Sequence, residues 1–211
     1  MFAKFRKYVD SVLCGSLFEL IRANNIVQAK IKECAVEQFS SDERLRHSRE
    51  RLDGALALSV ERVSRIEAKA MGTLLGVGVA VAVLGVGSGI VGPTGVLGSH
   101  AMAVRAVAGV LLLAAMLYLF GSGLLALQAY KIGEVYRPAL SDYEPLVSSK
   151  DQAMVMLYCI EQNERVGTMR SNRLSASFSW LRNGLVVVLL LGGLILFVAL
   201  LTDARVERSG T

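Results

Sequence analysis

Three stretches of this chain, 71–92, 106–127 and 184–201, contain no Asp, Glu, Lys, Arg or His. As a helix, each is long enough to cross most or all of a bilayer's hydrocarbon core, so the sequence predicts three transmembrane spans. Spans without a titrating group have no means of relaying protons, coupling to ions or running acid–base chemistry inside the membrane. Histidine is scarce as well. His47 and His100 are the only two, and a three-span topology puts them on opposite sides, which excludes a triad or a histidine zinc site within one chain. Cys14, Cys34 and Cys159 lack C-x-x-C spacing and fall on the reducing side, where they read as ordinary buried thiols rather than staples or zinc ligands. No catalytic residue, metal or cofactor is expected. In 211 residues the three spans leave too little chain for a second large core. The chain reads as a membrane protein that is not an enzyme, in which packing or pore formation outranks catalysis.

The charge that is present is unevenly placed. Lys and Arg outnumber Asp and Glu by 23 to 18, but the 93–105 loop carries only Arg105 and the tail only Arg205 and Arg208 as cations. Arg62, Arg65, Lys69, Lys131, Arg137, Arg165, Arg170, Arg173 and Arg182 flank the other ends of the spans. The excess of cations near one set of span ends predicts a multi-pass membrane protein with a cytoplasmic N-terminus and an external C-terminus. The cytoplasmic charges are interleaved, without a basic run or aromatic stacking pattern, so the bilayer is the expected partner and nucleic acid is not. The opening Met-Phe-Ala-Lys-Phe-Arg-Lys is followed by Asp10 and Glu19, which interrupt the apolar stretch of a signal peptide, and no cleavage is expected.

The expected organisation is an N-terminal amphipathic helical segment over 1–40, a three-span membrane domain with a cytoplasmic stalk over 41–201, and a short external tail over 202–211. In the first segment Phe2, Phe5, Val9, Val12, Leu17, Leu20 and Ile21 recur at helical spacing. The segment either lies on the inner leaflet or, as such stripes more commonly do, packs against a helical bundle. Ser40 with Glu43 makes a capping box that predicts one helix of about fifty residues running to Gly92. Its cytoplasmic half carries Leu45, Leu52, Leu56, Ser59, Val63, Ile66 and Ala70, spacing that suits a coiled-coil seam. The second span is expected to stay helical to about Arg137, where Pro138 stops it. A second cap, Ser148 with Asp151, predicts a helix uninterrupted by proline to the chain end. On it Ala153, Leu157, Ile160, Glu164, Gly167, Ser171, Leu174, Phe178 and Leu181 follow strict four-three steps. The fold class is all-α: an integral membrane three-helix bundle whose helices extend into a stalk.

Two groups of residues are candidates for function. Gly78, Ala82, Gly85, Gly89 and Gly92 form a small-residue seam on the first span, which permits close helix approach either within one subunit or between subunits, where it would line a pore. Near the inner face Glu67, Lys69, Asn163, Glu164, Arg165 and Arg173 belong to two polar clusters. These would form a salt-bridge ring at a pore mouth or an anion site between helices, against the default of a solvated collar of helix charges.

Glu67-Ala-Lys69-Ala70 followed by Leu74-Leu75, a short outer loop, and Asn163 with Arg173-Leu174 before the last span resemble the transmembrane effectors of bacterial antiphage signalling systems, among them the Pycsar membrane effector domain. The resemblance covers roughly residues 60–200. It implies a homo-oligomer that disrupts or permeabilises the inner membrane once an infection signal arrives. Residues 1–40 are too short for the ligand-sensing domain such effectors carry, so sensing would fall to the stalk or to a cytoplasmic sensor or nucleotide-signalling partner. The competing expectation is a membrane anchor or assembly subunit that recruits a cytoplasmic partner through its stalk.

Overall fold

A computed structural model describes residues 17–91, 102–132, 135–139 and 148–209, with the backbone alone at 83, 86–91 and 201–209. Among the described residues the chain is all-helical, with four α-helices and no strand. They are α1 (Leu17–Glu33), α2 (Arg49–Val91), α3 (Met102–Lys131) and α4 (Ser149–Ser209). Short 3₁₀ turns at Val36–Phe39 and Glu43–Arg46 join α1 to α2. By length and composition α3 and α4 (within Ser149–Leu200) are able to cross a membrane. The first expected span falls on α2, and the N-terminal stripe over Phe2–Ser16 lies outside the described residues.

The described residues divide into two units. One comprises Ser16–Gly72 and Ala126–Ala176, the other Thr73–Leu125 and Ser177–Thr211.

In the first, amphipathic unit, the expected α2 seam is present: Leu52, Ser59, Val63 and Ala70 are buried, and Leu45 and Ile66 pack beside them. Leu52 joins Phe39, Met156 and Leu157 in one cluster, and Tyr158 meets both Phe39 and Tyr136 edge-to-face at 6.4 and 6.1 Å. Lower down, Ala70 meets Ala129 and Leu174, small residues that draw α2, α3 and α4 together. α1 buries Asn24 against α4, while Ile21 of the expected apolar stripe is exposed.

Three expectations about the helices need correction. Ser40 and Glu43 do not start the long helix. Asp42 caps instead, its carboxylate accepting from Arg44 N at 2.8 Å while also gripping the Arg44 side chain, and the turn closes as 3₁₀. Extended His47 ends it, and α2 begins only at Arg49, with Leu52 N donating to Ser48 O. α3 stops at Lys131 rather than near Arg137, because side chains of α4 take over the backbone beyond it and Pro138 disfavours helical geometry at Arg137. On α4 the strict four-three lane fails in its middle, with Glu164, Ser171 and Phe178 exposed. A straight helix drifts about 20° per heptad against such a lane, and three neighbours bury a wider face that includes Asn163, Val166 and Arg170. α4 also continues through Ser209, taking in most of the expected tail. Its start is as expected: Ser148 Oγ accepts from Asp151 N at 3.1 Å and donates to the Asp151 carboxylate at 2.6 Å.

In the second, apolar unit, α2, α3 and α4 pack through Val77, Leu84, Ala115 and Leu119, and α3 and α4 continue through Ala108, Leu191 and Val198. A Cβ on Gly121 would overlap the Trp180 ring, and one on Gly184 would press on Leu119 at 3.1 Å, so these two glycines set the close approach of α3 and α4. Tyr118 meets Trp180 edge-to-face at 5.6 Å beside them. Ser122 and Ser177, both fully buried, exchange hydrogen bonds: each Oγ donates to the other residue's carbonyl, at 2.9 and 2.8 Å. That reciprocity satisfies two hydroxyls in an otherwise apolar contact.

Candidate functional site

Part of the expected polar collar is a buried seam on α4. Gln162, Asn163 and Arg170 are at most 2% exposed. Buried polar groups are mostly hydrogen-bonded, and here each of the three side chains bonds to a neighbouring element, although Gln162 Oε1 has no partner among the described residues.

Asn163 clamps the chain that follows α3. Its Oδ1 accepts from Tyr136 N at 2.8 Å, and its Nδ2 donates to Tyr136 O at 3.0 Å and to Ser59 Oγ at 3.2 Å. Ser59 Oγ in turn donates to Leu56 O at 2.8 Å. One amide thus replaces both backbone partners that Tyr136 lost by leaving the helix, and ties them to α2.

Seven residues later, on the same face of α4, Arg170 serves the end of α3. Its Nε donates to Ile132 O at 2.7 Å, and its Nη1 pairs with Glu67 of α2. A guanidinium at a helix C-terminus satisfies an orphan carbonyl and complements the helix dipole. Glu67 then balances the charge that burial would otherwise leave uncompensated. Arg173, next on this side, donates to Gln128 Oε1 of α3.

α4 caps α1 by the same means. Arg165 donates to Lys30 O at 2.8 Å and Gln162 to Ile31 O at 3.4 Å. Gln38 reaches Glu33 O at 3.0 Å. Asn24 donates to Met169 O at 3.3 Å and accepts from Asn172 at 2.9 Å. Arg165 also pairs with Glu161 at 3.2 Å, and Glu161 lies 3.9 Å from Arg44. Near this junction burial pushes the Tyr158 hydroxyl above its usual range.

Of the six polar candidates, Glu67, Asn163, Arg165 and Arg173 therefore bond across helices. Glu164 and Lys69 are exposed; Glu164 lends only its carbonyl, to Thr168 Oγ1 at 2.9 Å. Gln162 and Arg170 belong to the expected polar cluster before the last span, whereas Asn24 was not expected as a site residue. This seam joins helices and holds no adjacent nucleophile and base, so its chemistry is that of a fastener.

In the apolar unit no described atom outside the glycine's own surroundings on α2 lies within 4 Å of a Cβ placed on Gly78 or Gly85, and Ala82 is exposed among the described residues. Side-chain surroundings at Gly89, and Gly92 altogether, lie outside the described residues. No protein-family model, curated protein or solved structure matches the chain.

Proposed function

We propose that this chain is a three-span protein of the bacterial inner membrane whose apolar unit assembles with further copies and impairs the membrane, as an effector of antiphage defence. The observation that carries the reading is the exposure of the apolar unit. Leu113, Leu117 and Phe120 on α3 and Leu189, Leu196 and Phe197 on α4 are all more than 60% exposed, while the serine pair is inside. Only 22% and 17% of the apolar windows of α3 and α4 are buried. Leaving such side chains in water costs about 25 cal/mol per Å² of apolar surface, and lipid removes that cost. The amphipathic unit, with its ion pairs, then occupies the cytoplasm.

Self-assembly is supported by the small-residue seam Gly78, Ala82 and Gly85, residues that let a second helix approach to backbone contact. The defence role rests on the resemblance carried by Glu67-Ala-Lys69-Ala70, Leu74-Leu75, Asn163 and Arg173-Leu174. A second reading, an anchor that recruits a cytoplasmic protein, is favoured by Phe18, Ile26 and Leu58, which are 62%, 52% and 67% exposed on the amphipathic unit.

Tightly induced expression in a bacterial host, with membrane potential and dye uptake followed in time, tests the reading. Gly85→Leu is the informative variant, because a bulky side chain in the small-residue seam would block close helix approach. Depolarisation by the parent chain that disappears in a carbonate-resistant, fully inserted Gly85→Leu protein is expected. An intact membrane together with a monomeric protein would favour the anchor.

A further inference from the structure

The amphipathic unit has a groove of about 300 Å³ along α2, outside the buried seam. Arg62, Arg65 and Lys69 line one wall and Ser171 of α4 stands on the other, with Leu58 contributing an apolar edge. Glu61 also lines it and pairs with Arg65 at 2.6 Å, so three cations face one anion. Their spacing of three and four residues puts all three cations on one face of the helix. All three are exposed, and none takes part in the Asn163–Arg170 fastening.

We propose that this groove binds the phosphate of an anionic membrane phospholipid headgroup. The inference rests on the membrane reading above. Lys69 precedes Met71, where the uncharged stretch of α2 begins. At 1.5 Å per residue Lys69 sits about 3 Å and Arg65 about 9 Å from that point. The headgroup layer is about 5 to 8 Å deep on each side, so these two cations flank the lipid phosphates. Arg62, about 5 Å further out, lies within a Debye length of them. The Ser171 hydroxyl adds a neutral donor from the facing helix. A soluble anion would gain nothing from this depth, whereas a lipid is delivered to it.

Each juxtamembrane cation strengthens attraction to an anionic surface about fivefold, so removing three while Glu61 remains should weaken binding on the order of a hundredfold. The test uses full-length protein in a neutral detergent, with Tm read from Trp180 fluorescence during titration with phosphatidylglycerol, phosphatidylcholine or inorganic phosphate. Phosphatidylglycerol alone should raise Tm, by on the order of 5 °C at saturation. The rise should vanish in Arg62→Gln/Arg65→Gln/Lys69→Gln and shrink in Arg62→Gln/Lys69→Gln, which keeps the Glu61–Arg65 pair. It should persist in Arg46→Gln/Arg51→Gln/Lys150→Gln, which removes the same charge elsewhere. An equal rise in the groove variant, loss in the control variant, or the same rise with inorganic phosphate would overturn the proposal. Carbonate extraction of cells expressing each variant separates the two failures: a protein that does not enter membranes defeats the membrane reading, and an inserted protein with an unselective Tm defeats the groove alone.

Discussion

Arg170 Nε donates to the carbonyl of Ile132 at 2.7 Å while its Nη1 holds Glu67, so a single side chain closes α3 and fastens it to α2. A buried ion pair adds little over an apolar contact of the same volume, but breaking it from one side is costly because a charge is stranded. Arg170→Met should therefore destabilise the protein by about 3 kcal/mol, since it strands Glu67 and uncaps Ile132. Glu67→Gln/Arg170→Met should recover part of the loss. Thermal melts of the four proteins of this cycle measure the coupling, and simple additivity of the two single changes would contradict it.

Asn163 makes three hydrogen bonds from a site 1% exposed. Asn163→Asp changes few atoms, yet it removes both donated bonds and turns a carboxylate oxygen toward Tyr136 O. A cost of about 3 kcal/mol follows from stranding buried polar groups, together with release of the segment after α3. Limited proteolysis should cut near residues 133–139 faster in Asn163→Asp than in the parent, whereas Glu164→Gln, at an exposed neighbouring position, should leave the pattern unchanged.

The Asp42–Arg44 turn gives a pH signature of definite sign. Hydrogen bonds from the Arg44 side chain and backbone hold the Asp42 carboxyl below its ordinary value. A depressed carboxyl contributes stability at all pH values above its unfolded pKa of about 3.9, and loses it as pH falls through the folded value. The pair is on the surface, so the contribution stays under about 1 kcal/mol. Asp42→Asn should melt slightly below the parent at pH 7, and the difference should shrink as pH falls below the unfolded value of about 3.9; a gap that widened in acid would contradict the assignment.

Local pattern made the helical class, the α2 seam from Leu52 to Ala70 and the Ser148–Asp151 cap legible in the sequence, because apolar spacing and capping chemistry act within a few residues. The Asn163 and Arg170 partners were not legible. Their hydrogen bonds go to Tyr136 and Ile132, backbone groups freed only where α3 ends, and that end is itself fixed by α4. Charge run and buried fastener look alike in one dimension. Ser40 misled for a related reason, since Asp42 two residues on competes for the same turn with a charged acceptor that also binds the Arg44 side chain.

Gly121 and Gly85 should respond in opposite ways to added volume, although both are helical glycines in apolar stretches. At Gly121 a methyl group would overlap Trp180, while at Gly85 it meets no described neighbouring helix within 4 Å. Gly121→Ala should cost about 1 to 3 kcal/mol as overpacking, with Trp180→Val in the same chain relieving it. Gly85→Leu should leave the melting of the monomer unchanged and act only on association. Size-exclusion mass and Tm, measured in parallel on the same detergent-solubilised samples, separate the two effects. If Gly85→Leu lowered Tm while leaving the mass unchanged, the small-residue seam would be an intramolecular contact and the case for assembly through α2 would fall.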